Sequence, residues 1–124
     1  RKVLKRILGQ NKRIILTEPL SYDEFIKTIS KSEFILTDSG GLQEEAPSLN
    51  KPVLILRNTT ERPEAVKSGT AKIVGTKRED IFKEAENLIL NRENYMRMAN
   101  AKNPFGDGKA SKRILNSSKK YLIN

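Results

Sequence analysis

Apolar positions along the chain alternate between helical spacing and short continuous runs. Val3, Leu4, Ile7 and Leu8 recur at helical spacing and Gly9 closes the pattern, so the chain begins in an amphipathic helix. Ile14-Ile15-Leu16 then predicts a short buried strand. Ser21 with Glu24 is a capping-box pattern, and Phe25, Ile26 and Ile29 give the next helix its buried stripe. Phe34 to Thr37 reads as a strand. Leu42, Ala46 and Leu49 then line one helical face, where Pro47 must shorten or distort the helix by removing an amide donor. Val53 to Leu56 is the third strand, and Ile73-Val74, after Gly69, is a weaker fourth. Thr76 with Glu79 caps a helix whose stripe is Ile81, Phe82, Ala85, Leu88 and Ile89. Asn91 to Ala99 is a polar helix, residues 103–108 are a turn-rich break, and Ala110, Ile114, Leu115, Tyr121 and Leu122 mark a terminal helix.

Strands alternating with helices over short connections predict an α/β fold: a Rossmann-like parallel sheet with helices on both faces, since parallel neighbours need a crossover and the helix supplies it. Ligands in such sheets bind beyond the carboxyl ends of the strands. The 124 residues make one domain at most, with a helical segment from about 91 to 124. The chain opens on Arg1, inside a helical pattern and without an initiator Met, so it is expected to be a piece of a longer protein.

Composition narrows the chemistry. The chain has neither cysteine nor histidine, so it holds no disulfide, thiol nucleophile or imidazole base, and no metal site is expected. No long apolar run is present, so no membrane partner is expected and a cytoplasmic location is. A net charge of +9 raises nucleic acid as a partner. The lysines, however, are dispersed and interleaved with Glu, and the few aromatics form no basic stacking stripe, so no nucleic-acid binding is expected. A mildly positive cleft for a small anion fits better.

The segment Ile35-Leu36-Thr37-Asp38-Ser39-Gly40-Gly41-Leu42 has the layout of such a cleft. An apolar strand stops at a small turn and a helix begins at once, leaving its first amides unpaired beyond the strand end. Ser39, Gly40 and Gly41 are the phosphate candidates, although a Ser-Gly-Gly turn also serves simply to pass from strand to helix. Glu45, one turn into that helix, either accepts from sugar hydroxyls or is a surface carboxylate; Glu44, facing roughly 100° away, fits the surface better. Arg62, held just before Pro63, suits a fixed arginine aimed at phosphate or at a carboxylate such as Glu45, with Arg57 as its rival. Phe25 either stacks on a base or belongs to the core. Asp107, between two glycines, is a metal or sugar ligand or a turn residue.

Together, the block from Asp38 to Leu49, Lys51-Pro52-Val53-Leu54, Thr59-Thr60-Glu61-Arg62-Pro63-Glu64-Ala65, Gly69-Thr70, Val74-Gly75-Thr76 and the run from Asn103 to Gly108 closely resemble the non-hydrolysing UDP-N-acetylglucosamine 2-epimerases. The resemblance covers nearly the whole chain. It implies that residues 1–124 are part of the C-terminal half of a two-domain GT-B-type fold, with the N-terminal domain absent. By resemblance, Ser39, Gly40 and Gly41 hold the diphosphate of UDP, Glu45 takes the ribose hydroxyls, Arg62 belongs to the same UDP site, and Phe25 encloses the uracil with backbone near Leu20. Some relatives carry Gln at the position of Leu20; Asn50 and Asn58 also depart from the common pattern, both in loops.

The activity implied is interconversion of UDP-GlcNAc and UDP-ManNAc for cell-surface polysaccharide precursors. UDP leaves as the proton at carbon 2 is taken, giving a glycal, and returns with reprotonation from the other face. No cofactor is implied. The family's proton-moving carboxylates and histidine have no counterpart in this chain, so no catalytic residue is expected here and the chain alone is expected not to turn over. The resemblance also implies the missing N-terminal domain as partner and a homodimer at full length. The alternatives are a nucleotide-sugar glycosyltransferase domain of the same architecture and a UDP-binding module without turnover.

Overall fold

The computed structural model describes residues 2–123. In chain order its elements are α1 (Lys2–Leu8), α2 (Tyr22–Lys31), β1 (Ile35–Thr37), α3 (Gly40–Glu45), a 3-10 turn (Ala46–Leu49), β2 (Val53–Ile55), α4 (Pro63–Ser68), β3 (Ala71–Ile73), α5 (Arg78–Leu90), α6 (Arg92–Ala99) and α7 (Ala110–Ile123). All three strands are parallel, in the order β1-β2-β3, with Ile35 beside Val53 and Val53 beside Ala71.

The apolar run of β2 explains its central place. Val53, Leu54 and Ile55 are all fully buried, which requires cover on both faces of the sheet. Because side chains alternate along a strand, Val53 and Ile55 join Ala46, Ala65 and Ala71 on one face, while Leu54 joins Val74 and Leu88 on the other. The first face is covered by the 3-10 turn and α4, the second by α5 and α6. The expected parallel sheet with helices on both faces is therefore present. Pro47 acts as its missing amide demands: the α-helical turns stop at Glu45 and the chain continues as 3-10 to Leu49. Ser21 and Glu24 form the expected box at α2, with the Ser21 amide and hydroxyl both donating to Glu24 Oε2, at 3.0 and 2.7 Å.

Three expectations fail. Ile14-Ile15-Leu16 is not a strand; Ile15 is 85% exposed, and among the described residues no ladder partner lies beside the run. A strand requires such a ladder for its amides and carbonyls, whatever its apolar content. Thr76 is not the cap of α5, because the cap position falls one residue later, on Lys77, with no side-chain capping bond. Phe82 and Ile89 lie outside the buried stripe of that helix, 65% and 69% exposed, since α5 meets the sheet along the narrower line of Ile81, Ala85 and Leu88. The fourth strand expected at Ile73-Val74 is the third of this sheet and spans Ala71–Ile73. Helices α1 and α7 form as expected, although the side chain of Leu4 and the whole of Arg1 lie outside the described residues. Among the described residues no helix is long and apolar enough to cross a membrane.

Candidate functional site

The sheet brings two connections together at its carboxyl edge: β1 to α3 and β2 to α4. Ladder hydrogen bonds continue past the strand ends, from the Leu56 amide to the Thr37 carbonyl at 2.9 Å and from the Val74 amide to the Ile55 carbonyl at 3.0 Å. The loops that follow are thus anchored to a rigid edge.

Ser39 holds the N-cap position of α3 in extended backbone, but its side chain makes no capping bond, leaving the hydroxyl available. Its amide donates to Thr37 Oγ1 at 3.0 Å, which fixes the start of the turn. Gly40 and Gly41 are the first residues of the helix, where amides have no acceptor within the helix. Neither glycine has a positive φ. A methyl group built on Gly40 would meet only Glu61 Oε2 at 3.7 Å and Arg62 Nη2 at 4.0 Å; on Gly41 it would meet Ser39 Oγ at 3.9 Å. These are ordinary contacts. Neither backbone conformation nor packing within the chain demands glycine here, although glycine disfavours a helix by about 0.5–1 kcal/mol relative to alanine.

The arginine loop faces this turn. Arg62 Nε donates to Glu44 Oε1, and the Glu44 carboxylate raises the affinity of the guanidinium for its proton. Arg57 pairs with Glu61 at 3.0 Å. The expectation that Arg62 reaches a carboxylate is met with a different partner: Glu44, which seemed the surface residue, rather than Glu45. Glu45 is half-buried and has no ion-pair partner among the described residues. Phe25 stands apart from the turn, half-buried on α2, lining an open cleft of about 510 Å³ with Thr17, Glu18, Pro19 and Leu20. None of the turn or arginine-loop residues lines that cleft.

Two residues escaped the sequence reading. Gln43 is fully buried within α3 and Thr60 is half-buried in the arginine loop; they are hydrogen-bonded to each other, from the Thr60 hydroxyl to Gln43 Oε1 at 2.5 Å. No periodic signal marks them, because a Gln among Glu residues looks solvent-facing. Asp107, left open above, is a turn and ion-pair residue: its Oδ1 accepts from the Lys109 amide at 3.0 Å and its two oxygens take the Arg113 guanidinium at 2.9 and 2.5 Å. These bonds hold its carboxyl below the usual carboxylate range. Among the described residues, no group of three His, Cys, Asp or Glu is placed to hold a metal ion.

Comparison with known proteins is decisive for the family. The model of the UDP-N-acetylglucosamine 2-epimerase family matches residues 1–119. The chain belongs to that family. It is 51% identical over 115 residues to the UDP-N-acetylglucosamine 2-epimerase of Campylobacter jejuni, a match covering 93% of this chain and 30% of that one. Among solved structures, the S. aureus MnaA–UDP co-structure superposes with a TM-score of 0.89 at 52% identity, covering 98% of this chain and 33% of the other. The UDP-GlcNAc 2-epimerase of Neisseria meningitidis, solved bound to UDP-GlcNAc, gives 0.88 at 50% identity, covering 97% of this chain and 32% of the other. The chain therefore spans about a third of the length of these relatives, and its fold is the one the two solved structures have in that third.

Proposed function

We propose that this chain is the UDP-holding part of a UDP-N-acetylglucosamine 2-epimerase, a partial C-terminal domain of a two-domain GT-B-type enzyme. In that enzyme UDP-GlcNAc and UDP-ManNAc interconvert by departure and return of UDP, in the cytoplasm, for polysaccharide precursors. The observation that carries the reading is the pair Gly40 and Gly41: two glycines at a helix start that neither backbone conformation nor packing requires, with the absent Cβ of Gly40 facing the side chains of Glu61 and Arg62. A ligand that must approach the backbone closely accounts for them.

In this reading the amides of Gly40 and Gly41 and the Ser39 hydroxyl hold the diphosphate. Arg62 neutralises the charge that grows as UDP leaves, exchanging Glu44 for phosphate oxygens. Glu45, without an ion-pair partner among the described residues, accepts from the ribose hydroxyls, and Phe25 with the backbone near Leu20 encloses the uracil. A clamp on a rigid sheet edge suits a mechanism in which the leaving group must stay bound for readdition. The bound UDP seen in the S. aureus relative and the UDP-GlcNAc in the Neisseria relative support the ligand class.

Titration with UDP, followed by amide chemical shifts, tests the site. The largest changes are expected at Gly40, Gly41 and Arg62. Largest changes among the lysines of α7 would overturn it.

A further inference from the structure

Gln43 is a fully buried polar side chain that links the two halves of the clamp. Its Nε2 donates to the Ser39 carbonyl at 3.1 Å and its Oε1 accepts from the Thr60 hydroxyl. Thr60 Oγ1 in turn accepts from the Arg62 amide at 3.0 Å. The relay therefore begins at the peptide unit shared by Ser39 and Gly40, crosses from the β1–α3 connection to the β2–α4 connection, and ends on the backbone of the arginine.

The geometry of a trans peptide gives the relay a function. The carbonyl and the amide of one peptide unit point in opposite directions. Gln43 Nε2 adds a bond to the Ser39 carbonyl, which as the N-cap carbonyl also starts the helix, so the Gly40 amide in the same plane is held pointing away from Gln43. Hydrogen bonding at the carbonyl also polarises the unit and strengthens its amide as a donor. Thr60 meanwhile fixes the loop from which the Arg62 guanidinium extends. Stability alone does not call for this arrangement, because replacing both partners of a buried hydrogen bond by apolar groups of similar shape is nearly neutral.

We infer that Gln43 and Thr60 are positioning residues for the nucleoside diphosphate, setting the direction of the Gly40 amide and its spacing from Arg62. The inference rests on the UDP-holding role proposed above. Thr60→Val and the paired change Gln43→Met with Thr60→Val are to be compared with Thr60→Ser, using UDP and uridine as probes in amide-shift titrations and thermal melts as the folding control. The paired variant is expected to melt close to the unmodified chain, whereas Thr60→Val alone, which leaves the buried Gln43 Oε1 unpaired, should melt lower; both are expected to bind UDP about tenfold more weakly, the effect of losing roughly one hydrogen bond, with uridine binding unchanged. Thr60→Ser, which keeps the hydroxyl, should restore UDP affinity, and Thr60→Val should cost less in an Arg62→Ala background than alone, because part of its effect runs through Arg62. Unchanged UDP affinity in the paired variant would overturn the inference, as would a parallel loss of uridine and UDP. If the unmodified chain bound UDP no more tightly than uridine, the diphosphate site itself would fall, and the two failures are thereby distinguished.

Discussion

Replacing Gly40 by alanine should stabilise the chain and damage its site. Gly40 sits at the first helical position of α3 without a positive φ, and the added methyl would lie 3.7 Å from Glu61 Oε2 and 4.0 Å from Arg62 Nη2, which is ordinary contact distance. Alanine in place of a helical glycine contributes up to about 0.5–1 kcal/mol, partly by restricting the unfolded chain. For a domain of this size that raises the melting temperature by about 2–4 °C. In the proposed site the same methyl, facing Glu61 and Arg62, would crowd a phosphate oxygen that must come within about 2.7–3.2 Å of the amide.

Losing one hydrogen bond to a charged group costs about 1.5–3 kcal/mol, which weakens UDP binding by roughly ten- to a hundredfold. Gly41→Ala should behave in the same sense, since its methyl would meet only Ser39 Oγ at 3.9 Å. Thermal melts without ligand and calorimetric titration with UDP measure the two halves of the prediction. A lower melting temperature together with undiminished UDP affinity would refute the reasoning, because glycine would then be a requirement of the fold and not of a ligand.

Gly69→Ala is the converse case: Gly69 ends α4 with φ +83°, so alanine there should lower stability by about 1–2 kcal/mol through backbone strain alone, seen as a lower melting temperature with UDP affinity unchanged. The pH dependence has two named sources, Asp107 with Arg113 and Glu24 with Ser21, both carboxyls held below their ordinary range by the hydrogen bonds they accept. Since folding depresses these values, their contribution is complete above the unfolded-state carboxylate values of 3.8 and 4.5 and is lost as pH falls through the lower folded ones. Acid titration of Asp107→Asn and Glu24→Gln should therefore show a loss of stability below about pH 4.5 that is shallower than in the unmodified chain by the share these two groups contribute.

Most of the architecture was legible because it depends on signals that act within a few residues. The fully apolar Val53-Leu54-Ile55 run belongs to a strand covered on both faces, and Pro47 dictates where α-helix gives way to 3-10. Ile14-Ile15-Leu16 misled because its apolar character is also local, whereas strand formation is a property of two segments and no described residue pairs with this one. The stripe of α5 was drawn too wide for a related reason: periodicity reports which residues share a helix face, while the area of sheet beneath decides how many of them are covered. Phe82 and Ile89 each follow a residue of the covered line by one position, roughly 100° further round the helix, and so fall on the flank that the sheet does not reach.

The site divides along the same line. That Ser39, Gly40 and Gly41 form a strand-to-helix turn was legible because its chemistry is written in consecutive residues, and Arg62 stood out as a candidate because Pro63 marks a constrained loop beside it. Its pairing with Glu44 instead of Glu45 was not visible, since both carboxylates are adjacent in sequence and only the crossing from β1–α3 to β2–α4 decides which one the arginine meets. Gln43 lies at the limit of such reasoning. In sequence it is one more polar residue in Gln43-Glu44-Glu45, but in the fold it is fully buried and bonded to the Thr60 hydroxyl across the site. A buried amide with both ends bonded is tolerated only where its partners are fixed, and here the partners are the backbone of the turn and the loop that carries the arginine. Gln43 is thereby the residue through which the β1–α3 turn and the arginine loop are held to each other.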